Sequence, residues 1–155
     1  YLKDASVGEG EVNFWDLGPE LTRPARSLKL WITLQVMGSD AMSAMIDHGY
    51  ELAETAEETL HSLPDWEIVS PAAQAVINFR YAPAGMSGRA LDALNQRISR
   101  EICASGFAQV LTTELNGKKV LRICALNPAT TREDMVETVK LLDRCAREAV
   151  GRMSA

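Results

Sequence analysis

Asn116-Gly117, set between the runs Gln109 to Leu115 and Lys119 to Ala125, constrains this chain more than any other pair of residues. A two-residue hairpin loop of type I′ needs positive φ at both central positions, and Asn-Gly supplies it with little strain. The spacing predicts two antiparallel neighbouring strands. Trp66 to Ser70 and Ala75 to Tyr81 read as two more, the second carrying Val76, Ile77, Phe79 and Tyr81, with Pro83-Ala84-Gly85 as a break. Between the strand pairs, Leu91, Leu94, Ile98 and Ile102 share one face of a helix from about Ser87 to Ala104. After Asn127-Pro128, Thr130 and Glu133 have the spacing of a capping box for a last helix whose Met135, Val139, Leu142, Ala146 and Ala149 face inward.

These elements predict an α+β domain with an antiparallel sheet of about four strands and helices on one face. Ahead of it, residues 1 to about 25 are broken by Gly8, Gly10, Gly18, Pro19 and Pro24 and read as an arm. From Arg26 to Met37, Leu28, Trp31, Ile32, Leu34 and Val36 cover much of a helix circumference, as in a helix buried between two bodies. Gly38 ends that helix. Ser39-Asp40 is read as the N-cap of a long second helix that closes near Pro64-Asp65. The expected division is therefore 1–38, arm and linker helix, and 39–155, the small α+β domain.

Charge and composition remove several classes of function. A net charge of -5 without a cluster of Lys and Arg gives no footprint for nucleic acid or an anionic membrane. The apolar run around Leu28 to Met37 is too short and too interrupted to span a bilayer. Cys103, Cys124 and Cys145 are odd in number and widely spaced, which favours reduced thiols in a cytoplasmic compartment over a disulfide framework, and gives no support to a metal site. His48 and His61 stand thirteen positions apart in one helix and read as solvated or interface histidines. Ser62, Ser70, Ser87 and Thr131 lie near helix ends or turns, where capping accounts for them. From these residues alone the chain is a soluble α+β domain, with Tyr1 an aromatic anchor, Thr22 a turn threonine, and Arg122 a strand arginine paired to an acidic neighbour.

A family signature adds to this. The opening Tyr1-Leu2-Lys3, then Thr22-Arg23-Pro24-Ala25-Arg26-Ser27-Leu28-Lys29-Leu30-Trp31, then Leu121-Arg122-Ile123-Cys124-Ala125-Leu126-Asn127-Pro128, resemble in order and type the group II pyridoxal-phosphate-dependent amino-acid decarboxylases. Arg23-Pro24-Ala25-Arg26 departs from the family's common Arg-Arg-Phe-Arg, which bears on local packing. The resemblance covers nearly the whole chain and implies the C-terminal small domain of a fold-type-I enzyme. The large domain, with the cofactor lysine, would lie upstream. None of Lys3, Lys29, Lys118, Lys119 or Lys140 has the family's His-Lys context.

What the resemblance implies for individual residues is specific. Tyr1 matches the tyrosine on a mobile loop that donates a proton to the substrate α-carbon in the neighbouring subunit's site, and favours plain decarboxylation over aldehyde formation. Arg122 matches a strand arginine at the active-site mouth that binds the substrate carboxylate or supports the loop. Thr22 matches a residue lining the partner subunit's substrate pocket. Arg23, Arg26 and Lys29 read as structural cations at a subunit or domain boundary. The implied protein is a homodimer that binds pyridoxal 5'-phosphate through its large domain and converts an L-amino acid to its amine and carbon dioxide; this chain alone should be inactive. The alternatives are an aldehyde-forming or aminotransferase relative of the same fold, and a stand-alone dimerisation or regulatory domain without catalysis.

Overall fold

The computed structural model describes residues 24–153. The chain divides into two compact units between Ser39 and Asp40. In the first, the described element is the helix α1 (Ser27–Met37), whose apolar side chains lie all round its circumference and none of whose residues is buried. Gly38 terminates it at φ 84°, a value that favours glycine. The arm read over residues 1–25 lies almost wholly outside the described residues.

The second unit holds α2 (Ser39–His61, crossing the boundary by one residue), β1 (Trp66–Ala73), β2 (Val76–Tyr81), α3 (Gly88–Ala104), β3 (Leu111–Leu115), β4 (Lys118–Cys124) and α4 (Arg132–Met153). Its four strands form one antiparallel sheet in the order β1-β2-β4-β3. Strand alternation sends Ile77, Phe79 and Tyr81 of β2, and Leu121 and Ile123 of β4, to one face. There they meet Leu52, Ala56 and Leu60 of α2, Leu94, Ile98 and Ile102 of α3, and Val139, Leu142 and Ala146 of α4 in one core. Each large side chain fully withdrawn from water in this way contributes about 1.5–3 kcal/mol.

Asn116 and Gly117 take φ 52° and 70° and close the β3–β4 hairpin, as their sequence requires. A second tight hairpin turn, Gln74-Ala75, also has positive φ at both positions, 50° and 62°, without a glycine or asparagine to ease it. Packing holds it: Ala75 is buried, its carbonyl accepts the Ala125 N–H at 2.8 Å, and its Cβ comes close to Gly49 of α2. Strand β1 runs through Pro71 to Ala73, beyond the end expected at Ser70. It is an edge strand, and the pairing register shifts between Ser70 and Ala73, so the proline's missing N–H leaves no gap in the ladder. The Ala72 N–H donates instead to Glu57 of α2 at 2.6 Å.

Other boundaries also differ from expectation, with β2 beginning one residue later and β4 displaced by one residue, at Val76–Tyr81 and Lys118–Cys124. The pair that caps α4 is Thr131 with Asp134, one position later than Thr130 and Glu133: the Asp134 N–H donates to the Thr131 hydroxyl and the Thr131 N–H to the Asp134 carboxylate. Thr130 is left in the turn, where its carbonyl meets His48 Nε2 at 2.8 Å. Ser39 and Asp40 lie within the first turn of α2, and β3 begins at Leu111 because Gln109 and Val110 still belong to the approach from α3.

Candidate functional site

The face of the sheet turned away from the helical core carries Val76, Asn78 and Arg80 of β2 and Lys118, Val120, Arg122 and Cys124 of β4, the alternates of the core residues. Three cations therefore share one surface. Two of them are matched: Arg80 Nε lies 2.6 Å from one oxygen of Glu67 and Lys118 Nζ 3.4 Å from the other. The Arg80 hydrogen bond holds the Glu67 carboxyl below its usual range, against the opposing effect of burial.

Arg122 is different. It is half-buried, register places it opposite Asn78 on one side and Leu111 on the other, and its Nε donates to Asn78 Oδ1 at 2.9 Å. No carboxylate pairs with it among the described residues, so the intradomain salt bridge that its residue type suggested is not what the fold makes. It lines a shallow cleft of about 390 Å³ with Gln109, Leu111, Thr112, Thr113 and Cys124. A guanidinium with one neutral partner, at a cleft wall, is suited to receive an anion.

Other hollows offer less chemistry. One of about 340 Å³ beside Asn127 and Thr130 includes Asp134, but that carboxylate is committed to Thr131, whose N–H and hydroxyl hold it below the usual range. Another of about 310 Å³, lined by Met45, Ile46, Tyr50 and Leu126, carries no charged group. His61 is exposed beside Glu57 at 3.6 Å, while half-buried His48 ties α2 to the turn before α4. Of the three sequence-selected site residues, Arg122 is described, and Tyr1 and Thr22 lie outside the described residues. Asn78 was not singled out beforehand; its signal is an amide in the middle of an otherwise apolar and β-branched run, two positions before Arg80.

No family model matches the chain. It is 40% identical over 150 residues to the aromatic-L-amino-acid decarboxylase of Bacillus atrophaeus, covering 96% of this chain and 31% of that protein. It is 29% identical over 136 residues to the L-2,4-diaminobutyrate decarboxylase of Acinetobacter baumannii, covering 87% of this chain and 27% of that protein. The chain belongs to the group II pyridoxal-phosphate-dependent decarboxylases, as a C-terminal part. The fold agrees: a solved structure of Oryza sativa TDC with PLP and tryptamine superposes with a TM-score of 0.79 at 23% identity, over 96% of this chain and 31% of that one.

This decarboxylase-family chain thus spans about a third of the length of the relatives it matches. Lys118 is held by Glu67, Lys119 Nζ donates to Gln96 at 2.9 Å, and Lys29 and Lys140 are exposed on helices.

Proposed function

We propose that the full-length protein is a pyridoxal-phosphate-dependent L-amino-acid decarboxylase, releasing carbon dioxide and the corresponding amine, and that this chain supplies part of its substrate site. The cofactor, held by the rest of the polypeptide, would supply the electron sink on which such chemistry depends. Arg122 carries the reading for this chain: its half-buried guanidinium has a neutral partner and no carboxylate among the described residues, and that is the state of an arginine waiting for an anion. In the assembled protein it binds a carboxylate at the active-site mouth, on the substrate or on the catalytic loop.

Tyr1 is assigned proton delivery to the substrate α-carbon after carbon dioxide leaves, and Thr22 a place in the substrate pocket; both assignments rest on their match to the family pattern. The apolar side chains distributed all round α1 support a helix that packs on the remaining two-thirds of the protein and on a second subunit, so the working unit is a homodimer, and the three free thiols suit a cytoplasmic setting.

The test uses full-length, cofactor-loaded protein with L-tryptophan, L-tyrosine, L-phenylalanine, L-histidine, L-glutamate and L-2,4-diaminobutyrate. Carbon dioxide and amine are expected in equal amounts from at least one of them. Absence of carbon dioxide from all six, or an aldehyde in place of the amine, would overturn the reading.

A further inference from the structure

Asparagine is a poor residue for the centre of a sheet, where β-branched and aromatic side chains are favoured, yet Asn78 lies in the interior strand β2 and is 7% exposed. Its amide oxygen takes the Nε hydrogen of Arg122 at 2.9 Å. A guanidinium offers two edges to a carboxylate, one through Nε and a terminal nitrogen, the other through both terminal nitrogens. With Nε engaged, the second edge remains, and it has no partner among the described residues.

The charge of the holding group matters as much as its position. On the same face Glu67 anchors Arg80 and Lys118 and neutralises charge as it does so. An aspartate at position 78 would fix Arg122 in the same place but would satisfy it. An amide orients the cation and leaves its charge for another anion.

We propose that Asn78 is a positioning residue for Arg122, fixing the guanidinium through Nε so that its two terminal nitrogens meet a carboxylate end-on. This rests on the role given to Arg122 above. The carboxylate belongs either to the substrate or to an acidic side chain elsewhere in the full-length protein.

The experiment is a double-mutant cycle in the full-length, cofactor-loaded protein, using the amino acid of the panel that it turns over fastest. Asn78→Ala is expected to lower kcat/KM about tenfold through misplacement of Arg122. In an Arg122→Ala background the same substitution should change kcat/KM by less than about twofold, because there is nothing left to position. Asn78→Asp, nearly isosteric, should lower kcat/KM at least as much while leaving the thermal midpoint unchanged or raised by the new ion pair. A rise in KM assigns the carboxylate to the substrate; a fall in kcat at constant KM assigns it to the protein. Effects of Asn78→Ala and Arg122→Ala that simply multiply would make Asn78 structural and overturn the proposal alone, as would a fully active Asn78→Asp protein, which also decides the matter if Asn78→Ala does not fold. An Arg122→Ala protein as active as the wild type, or a wild type that turns over none of the six, would remove the Arg122 reading and this inference with it.

Discussion

Asn95 shows how much a single amide can hold in place. It is fully buried on the apolar face of α3, where its Oδ1 accepts the Tyr81 N–H and its Nδ2 donates to the Tyr81 and Leu91 carbonyls, each at 2.9 Å. The β2–β4 ladder runs no further than Phe79 and Leu121, so Asn95 takes the place of a neighbouring strand for the residue at the end of β2. Asn95→Leu keeps the volume and leaves a buried N–H and carbonyl of Tyr81 unpaired, at about 1–3 kcal/mol for each group. The urea midpoint should fall correspondingly, and an unchanged midpoint would mean that water or a backbone shift replaces the amide. Neither Asn95 nor Asn78 was legible beforehand, for one reason: an apolar pattern identifies the face that a residue occupies, but a polar residue on that face is explained only by the atom it meets across the fold. Arg122 was picked out through its family context, whereas its neutral partner Asn78, and the lack of an acidic one among the described residues, needed the sheet register.

Among the elements, local signals succeeded where the backbone itself imposes the requirement. Asn116-Gly117 made its hairpin and the stripe of Leu91, Leu94, Ile98 and Ile102 made α3, because positive φ and helical periodicity are properties of short segments. The Gln74-Ala75 turn was not foreseen, since its left-handed residues are held by tertiary packing against α2 and the end of β4 rather than by their own preference. That junction supplies a test in which two effects oppose. An alanine at either Gly49 or Gly151 gains up to about 1 kcal/mol of helix propensity. At Gly49 the added Cβ would stand 2.8 Å from the Ala125 carbonyl oxygen and 3.0 Å from the Ala75 Cβ, whereas at Gly151 it meets nothing within 4 Å. Crowding of this kind costs about 1–3 kcal/mol, so Gly49→Ala should lower the thermal midpoint. Gly151→Ala should raise it slightly. A stabilised Gly49→Ala protein would show that the turn can move away without penalty.

At the scale of the whole molecule, a well-packed α+β unit shares its chain with a helix that exposes Leu28, Leu30, Trp31, Ile32, Leu34, Val36 and Met37. Contiguous apolar surface of this kind marks an interaction site or an aggregation risk. The isolated chain should therefore elute above its 17.0 kDa mass in light-scattering chromatography, and replacing Leu30, Ile32 and Val36 by glutamate should return it to monomer without loss of the sheet signal in circular dichroism. A monomeric wild-type chain would mean that α1 tolerates water by itself. The two described tryptophans turn this into an optical matter. The Trp66 indole is wedged against Phe79 and Tyr81 and tethered to Asp143, so its emission follows the integrity of the core. Trp31, 58% exposed on α1, should emit as an indole in water whenever the chain is monomeric. With Trp15 replaced by phenylalanine and the chain dilute enough to be monomeric, a blue shift of Trp31 emission on adding the remainder of the proposed full-length protein would make assembly visible in the spectrum, while Trp66 stays constant as the internal standard.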